Sequence, residues 1–383
     1  MLPEGRIGIY VGSHTHFSEK QNRAIDRFCA TYDAVVICDH TSGYYGKYKL
    51  LPTLVQLQSD ITSPFPPLDL MVHIGEISAA SFNDTIPAKE VWRVSEDGEL
   101  RDPFKKLTTV FQMSEEMFFL HYGKDGCNRH VLIDECRELF GEIYEQIPEL
   151  PFCNIWTAMQ LSSRLPKGAL FHMGVSNTRR CWNMFQLPES VESACNVGCC
   201  GIDGCVSTLV GASLVNPDRL CYVVVGDLTF FYDLNSLGNH HIGTNLRVML
   251  VNNGRGTEFR LGIHHCNVFG DDADKYMAAA GHFGNKSPLL VKHYAEDLGF
   301  HYLSATTKEE FMTALSNFTN PQLSDHSMIL EVFTDSKDES EALYLMSHIQ
   351  SDAKGMVRSK LKDAVRNVAG EKGINAIKKI LKK

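Results

Sequence analysis

The stretch GDLTFFYDLNSL, residues 226–237, directly follows the apolar run CYVVV (221–225), and VMLVNNGRG (248–256) lies a short way downstream. Both runs are apolar throughout, the pattern of strands buried on both faces. Each ends in a polar tip: Asp227 in the first, Asn252, Asn253 and Gly254 in the second. Two parallel strands joined by a helix place both tips at one carboxyl edge of a sheet, which is where α/β proteins hold ligands.

Outward from this pair, further apolar runs alternate with helical patterns. GALFHMGVSN (168–177), TLVGASLVNP (208–217) and SMILEVFTD (327–335) extend the same α/β series. Nearer the start, RIGIYVG (6–12), a helix from about Ser18 to Tyr32, DAVVICD (33–39), LDLMVHIG (68–75) and KEVWRVS (89–95) form a second series. The segment from Thr108 to about Lys167 reads as mostly helical, bridging the two. The expected fold class is α/β, with two doubly wound parallel-sheet domains at residues 1–150 and 151–350 and a basic helical tail at 351–383.

The 383 residues, 44% hydrophobic and 22% charged, suffice for two cores. No apolar run approaches the ~20 residues of a membrane span, and the first residues lack a basic segment leading into a signal-peptide core, so a cytoplasmic location is expected. The twelve cysteines are scattered and form no CxxC pair, which favours buried free thiols over disulfides or a zinc site. Net charge is −9, but residues 354–383 carry ten Lys or Arg against Asp363 and Glu371, leaving an acidic body unsuited to nucleic acid. The tail has two apolar helical stripes, which suit a solvated or docking helix pair, or contact with an acidic partner or membrane surface.

Asp227, the Asn253 amide and a neighbouring backbone carbonyl make an all-oxygen set suited to Mg²⁺, and such a cation can anchor a diphosphate. A helix cap and a turn explain either piece alone. Upstream, Gly198, Gly201 and Gly204 permit close backbone approach to a ligand, with the apolar Ile202 between two of them. Cysteines 195, 199, 200 and 205 tempt a metal reading, but adjacent Cys199 and Cys200 point apart and no second cluster completes the set. After ALFHMG, Ser176, Asn177, Arg179 and Arg180 open a helix where hydroxyl and guanidinium groups can meet an anion. Arg255, Glu258 and Arg260 fall in a loop over the same sheet edge. His172, His264 and His265 read as structural.

The combination of GIDGCVST (201–208), VVVGDLTFFYDLNSL (223–237) and MLVNNGRGTEF (249–259) resembles the thiamine diphosphate-dependent enzymes. Within them it is most similar to the menaquinone-pathway 2-succinyl-5-enolpyruvyl-6-hydroxy-3-cyclohexene-1-carboxylate synthases. Leu228, where most of the superfamily has glycine, is specific to that branch. The resemblance runs to about residue 340 and implies a central Rossmann-like domain followed by the diphosphate-binding domain. It implies that Asp227, the Asn253 side chain and the Arg255 carbonyl hold Mg²⁺, with Gly201 and Leu228 lining the cofactor. Ile202 is the implied wedge that bends thiamine diphosphate, Ser176 lies near the diphosphate, and Arg180 and Phe259 face the substrate. The implied reaction decarboxylates a 2-oxo acid and transfers the acyl carbanion equivalent to an acceptor.

Two departures bear on the acceptor. The family's NRG is Asn196-Val197-Gly198 here, and its basic pair in the central domain is replaced by SAASF, Ser78 to Phe82. Losing two cationic contacts costs a multiply charged acceptor several kcal/mol, which favours a different one. Family members also begin with a pyrimidine-binding domain carrying the activating glutamate, and no stretch here matches it. The expectation is a chain without that catalytic residue, completed by a pyrimidine-binding domain or subunit within a homo-oligomer. The competing reading is a non-catalytic cofactor-binding or regulatory module.

Overall fold

The computed structural model describes residues 4–61, 65–76, 86–198, 200–261 and 286–352, together with 264, 266, 269, 270, 272 and 284. Ser78 to Phe82, Cys199, His265 and the tail beyond residue 352 lie outside the described residues.

The first series forms β1 (Ile7–Val11), α1 (Glu19–Tyr32), β2 (Val35–Cys38), β3 (Lys49–Leu50), α2 (Thr53–Leu57), β4 (Leu68–Ile74), β5 (Ala88–Ser95), β6 (Leu107–Gln112), α3 (Glu115–Tyr122) and α4 (Val131–Glu145). Its six strands are all parallel, in the order β3-β2-β1-β4-β5-β6. This is the doubly wound order, in which strands leave β1 first to one side and then to the other. Helix α1 begins where the sequence places it. The Ser18 hydroxyl accepts from the Gln21 N–H while the Gln21 side chain accepts from the Ser18 N–H, a reciprocal cap.

The second series comprises α5 (Asn154–Leu161), β7 (Leu170–Met173), α6 (Asn177–Trp182), β8 (Glu192–Cys195), α7 (Cys205–Val215), β9 (Cys221–Gly226), α8 (Asp227–Tyr232), β10 (Leu246–Asn252), α9 (Leu290–Asp297), β11 (His301–Ala305), α10 (Lys308–Phe318), β12 (Met328–Phe333) and α11 (Ser336–Ser347). Its sheet is likewise parallel throughout, ordered β11-β12-β10-β9-β7-β8. Strand order reverses at β7, so the crevice beside β7 and β9 is a switch point where ligands bind in such sheets. Strand β10 is buried at every residue.

Three details differ from the sequence reading. Residues 108–112, taken as the start of a helical bridge, pair with β5 as an edge strand, because LTTVFQ is rich in β-branched and aromatic residues. TLVGASLV, counted among the apolar runs of the second series but also expected as a small-residue helix after the glycine loop, is helix α7. The short strands β8 and β11 carry too few apolar residues to show in the sequence.

The two sheets share one hydrophobic core, joined across α2, α4, α5 and α11. At this seam Gln58, 5% exposed, uses its whole amide. Its Nε2 donates to the Leu54 and Met346 carbonyls at 2.9 and 2.8 Å, and its Oε1 accepts from the Ile349 and Gln350 N–H groups at 3.0 and 3.2 Å. Nearer the site, Arg179 approaches Asp39 at 3.5 Å, and Asn183 accepts from the His40 N–H at 2.9 Å. Replacing Gln58 with Ala strands two buried carbonyls and two half-buried N–H groups and should cost about 2–4 kcal/mol in urea unfolding. An unchanged midpoint would show that the seam does not depend on it.

Candidate functional site

The register of β9 and β10 answers the question posed by their sequences. Val251 lies opposite Gly226, so Asp227 and Asn253 emerge at adjacent levels of the same carboxyl edge. Gly226 is extended, and Asp227 opens α8, where it is 2% exposed and its Oδ1 accepts from the Leu228 N–H at 2.8 Å. At the end of β10 the chain turns at Gly254, whose φ of +80° suits glycine. Asn253 Oδ1 accepts from the Arg255 N–H at 3.4 Å.

The adjacent Asn252 has a different task. It is buried, and its Nδ2 donates to Glu331 Oε1 at 2.7 Å, while the Tyr302 hydroxyl donates to Glu331 Oε2 at 2.8 Å. Burial pushes the Glu331 carboxyl up, these two hydrogen bonds pull it down, and the negative charge of Asp227 pushes it up again.

Ser176 lies between β7 and α6 with φ +61°, a conformation costing a non-glycine residue about 1–3 kcal/mol. Ser176, Ile202, Asp227, Leu228, Asn253 and Arg255 all line one cavity of about 390 Å³, together with Asn154, Asn177 and Glu258. That volume falls within the range of small-molecule sites. Gly201 flanks the cavity next to Ile202, and a Cβ there would meet only the movable end of Asp203. Asp233 accepts from the Ser207 N–H at 2.6 Å and so ties the start of α7 to the end of α8.

Arg180 does not line the cavity itself. Its guanidinium clasps Glu258 through two hydrogen bonds of 2.6 and 3.1 Å, and both side chains are about 20% exposed. Residues 257–260, read from the sequence as irregular, form a 3₁₀ turn. Phe259 belongs to this turn, but its side chain lies outside the described residues.

Among the described residues, no cluster of three His, Cys, Asp or Glu side chains could hold a metal ion. Burial pushes the Cys195 and Cys205 thiols up to about 12 and 11, the protonated form that binds metal poorly. His172 is 4% exposed and pushed down to about 4 by burial, which fits a neutral structural ring. His264 accepts the Cys266 N–H at 3.1 Å. The exposed Cys200 lines the cavity, but the oxygen donors gathered there, the buried Asp227 carboxylate and the Asn253 amide, are a hard pair that fits Mg²⁺ beside a phosphate group.

Sequence reading missed Asn154, Glu331 and Glu339. Glu331 had a signal, a lone acid inside the apolar run SMILEVFTD; Asn154 and Glu339 sit in ordinary helical patterns. Glu339, on α11, is 1% exposed. Its Oε1 accepts from the Asn154 N–H at 2.9 Å and from the Thr334 hydroxyl at 3.0 Å. Burial pushes its carboxyl from the ordinary 4.5 to about 7, against hydrogen bonds from Asn154, Thr334 and Asn177 and with a push from Asp338.

No known family profile matches the chain. It is 33% identical over 263 residues to the 2-succinyl-5-enolpyruvyl-6-hydroxy-3-cyclohexene-1-carboxylate synthase of Bacteroides fragilis, covering 67% of this chain and 45% of that protein. It is 32% identical over 265 residues to the synthase of the same name from Phocaeicola vulgatus, covering 67% and 44%. The one from Christiangramia forsetii is 33% identical over 199 residues, covering 52% and 33%. The chain spans less than half the length of these curated relatives.

Because its folded pKa is raised, Glu339 contributes stability that is fully present below about pH 4.5 and lost as pH rises through about 7. Between pH 4.5 and 7.5 this residue should lower the unfolding free energy by on the order of 3 kcal/mol. Urea titrations across that range should show a shallower decline for Glu339→Gln than for the parent. Parallel curves would mean that Glu339 does not titrate in this window.

Proposed function

We propose, starting from a chain related to the thiamine diphosphate-dependent enzymes and within them to the 2-succinyl-5-enolpyruvyl-6-hydroxy-3-cyclohexene-1-carboxylate synthases, that it provides the diphosphate- and Mg²⁺-binding part of such an enzyme. The observation that carries this reading is the meeting of Asp227, Asn253, Ile202 and Ser176 around one cavity at the carboxyl edge of the second sheet. Residues 1–150 then act as the central domain, 151–350 as the diphosphate domain and 351–383 as an appended tail.

In this assignment Asp227, the Asn253 side chain and the Arg255 carbonyl hold Mg²⁺. Ser176 and the backbone around Gly201 and Leu228 border the diphosphate, and Ile202 supplies the apolar wedge. When bound, thiamine diphosphate supplies the electron sink for decarboxylating a 2-oxo acid and passing its acyl unit to an acceptor. The chain's own work is to orient the ligands and exclude water. Arg180 serves an anionic substrate by exchanging Glu258 for a substrate carboxylate, an exchange of one charge-assisted pair for another. Phe259 forms part of the substrate wall. The pyrimidine-binding domain with its activating glutamate comes from elsewhere in a longer protein or from a partner chain, within a homo-oligomer. Val197 in place of an arginine, with uncharged Ser78 to Phe82, favours an acceptor carrying less negative charge than isochorismate.

Calorimetry tests the assignment. Thiamine diphosphate should bind the chain weakly and only with Mg²⁺, and a glutamate-bearing pyrimidine-binding domain should tighten it. Asp227→Ala should weaken binding at least about tenfold, or ~1.4 kcal/mol. Equal affinity for Asp227→Ala and the parent would sink the metal assignment. With the added domain, turnover of 2-oxoglutarate and isochorismate would overturn the reading of the acceptor.

A further inference from the structure

Asn154 is the first residue of α5 and lines the same cavity as Asp227 and Asn253. It is 2% exposed, and its Oδ1 has no hydrogen-bond partner among the described residues. A buried acceptor left in this state is destabilising until something donates to it. The local structure gives the side chain no other task. The Cys153 sulfur already caps α5 by accepting from the Trp156 N–H at 3.4 Å, and the Asn154 carbonyl accepts from the Thr157 hydroxyl at 2.8 Å.

The Asn154 backbone, by contrast, is held firmly. Its N–H donates to Glu339 Oε1, an atom that also accepts from Thr334. A buried carboxyl is expensive unless something depends on it. What depends on this one is the placement of Asn154, because α5 and α11 pack against each other at that contact.

We propose that Asn154 is a ligand-binding residue of the cavity, its Oδ1 accepting a hydrogen bond from a donor that arrives with the ligand, and that Glu339 is the positioning residue that holds it there. The donor is either an N–H or O–H of the organic part of the ligand or a water on the accompanying cation. A Mg²⁺-bound diphosphate is not the donor, since metal coordination favours its fully ionised form, whose oxygens only accept. A neutral amide also suits this place better than Asp, because a second carboxylate would face Glu339, with Asp338 on the same helix and Glu258 on the adjoining turn. The other titratable neighbours of Glu339, Cys153 and Cys181, are thiols pushed up by burial. The inference rests on the cavity being the cofactor site.

The test uses the full chain, with binding followed by calorimetry and stability by urea unfolding. Asn154→Ala removes an unsatisfied buried acceptor, so the ligand-free protein should be as stable as the parent or more so, while Mg²⁺–thiamine diphosphate binds at least about fivefold more weakly. Inorganic diphosphate with Mg²⁺ separates the two donors. An equal loss for both probes assigns the cation's water, and a loss for thiamine diphosphate alone assigns the organic part. Glu339→Gln keeps the accepting oxygen and should retain affinity. Glu339→Ala should lose it without adding to the loss in the double variant with Asn154→Ala. If Glu339→Ala fails to fold, the Asn154→Ala arms still decide. Lower stability with affinity within twofold of the parent would make Asn154 structural and overturn the proposal. Failure of the parent chain to bind either probe would instead overturn the cofactor reading, and this inference with it.

Discussion

The parallel pairing of β9 with β10 fixes the geometry on which the site depends. Both strands are closed to solvent on both faces, and Val251 opposite Gly226 locks their carboxyl ends at one level. A slip of one residue would turn every side chain to the other face. It would also pull Asn252 away from Glu331, and it would drag the fully buried Arg247 from the Ser324 hydroxyl. Such buried polar groups make the register expensive to change. Asp227 and Asn253 are therefore held by the sheet itself rather than by their loops.

Around that edge the protein concentrates charge in a low-dielectric setting and pairs it. Glu331 is shared by Asn252 and Tyr302, Glu258 is clasped by Arg180, and Asp39 faces Arg179 across the seam. Burial keeps the Cys195 and Cys205 thiols protonated and the His172 ring neutral, while the exposed Cys200 lines the cavity itself. Beside that thiol and the apolar Val175, Ile202 and Leu228, the cavity offers a ligand oxygen donors suited to a cation and its anion together.

The seam extends the same logic over a longer distance. Gln58 joins the end of α11 to α2, Tyr144 donates to the Met184 carbonyl, and the His40 loop hydrogen-bonds the residues that follow α6. Helix α11 thus meets the first sheet's helices at its end and reaches the cavity wall through Glu339.

The sequence by itself determined the two parallel sheets, the start of α1, and the convergence of Asp227 and Asn253. These follow from local rules: apolar runs of strand length, a Ser-x-x-Gln cap and glycines at turns, each visible within a few residues. It also carried the family motifs, because Ile202, Asp227, Leu228 and Asn253 lie in short contiguous signatures. Tertiary structure alone decided the rest. Asn154 and Glu339 are 185 positions apart and meet only when α5 and α11 pack, while the Arg180–Glu258 pair spans 78 positions. No local pattern records such pairs, because the free energy that places them comes from burying whole helices against one core and not from the residues that end up touching.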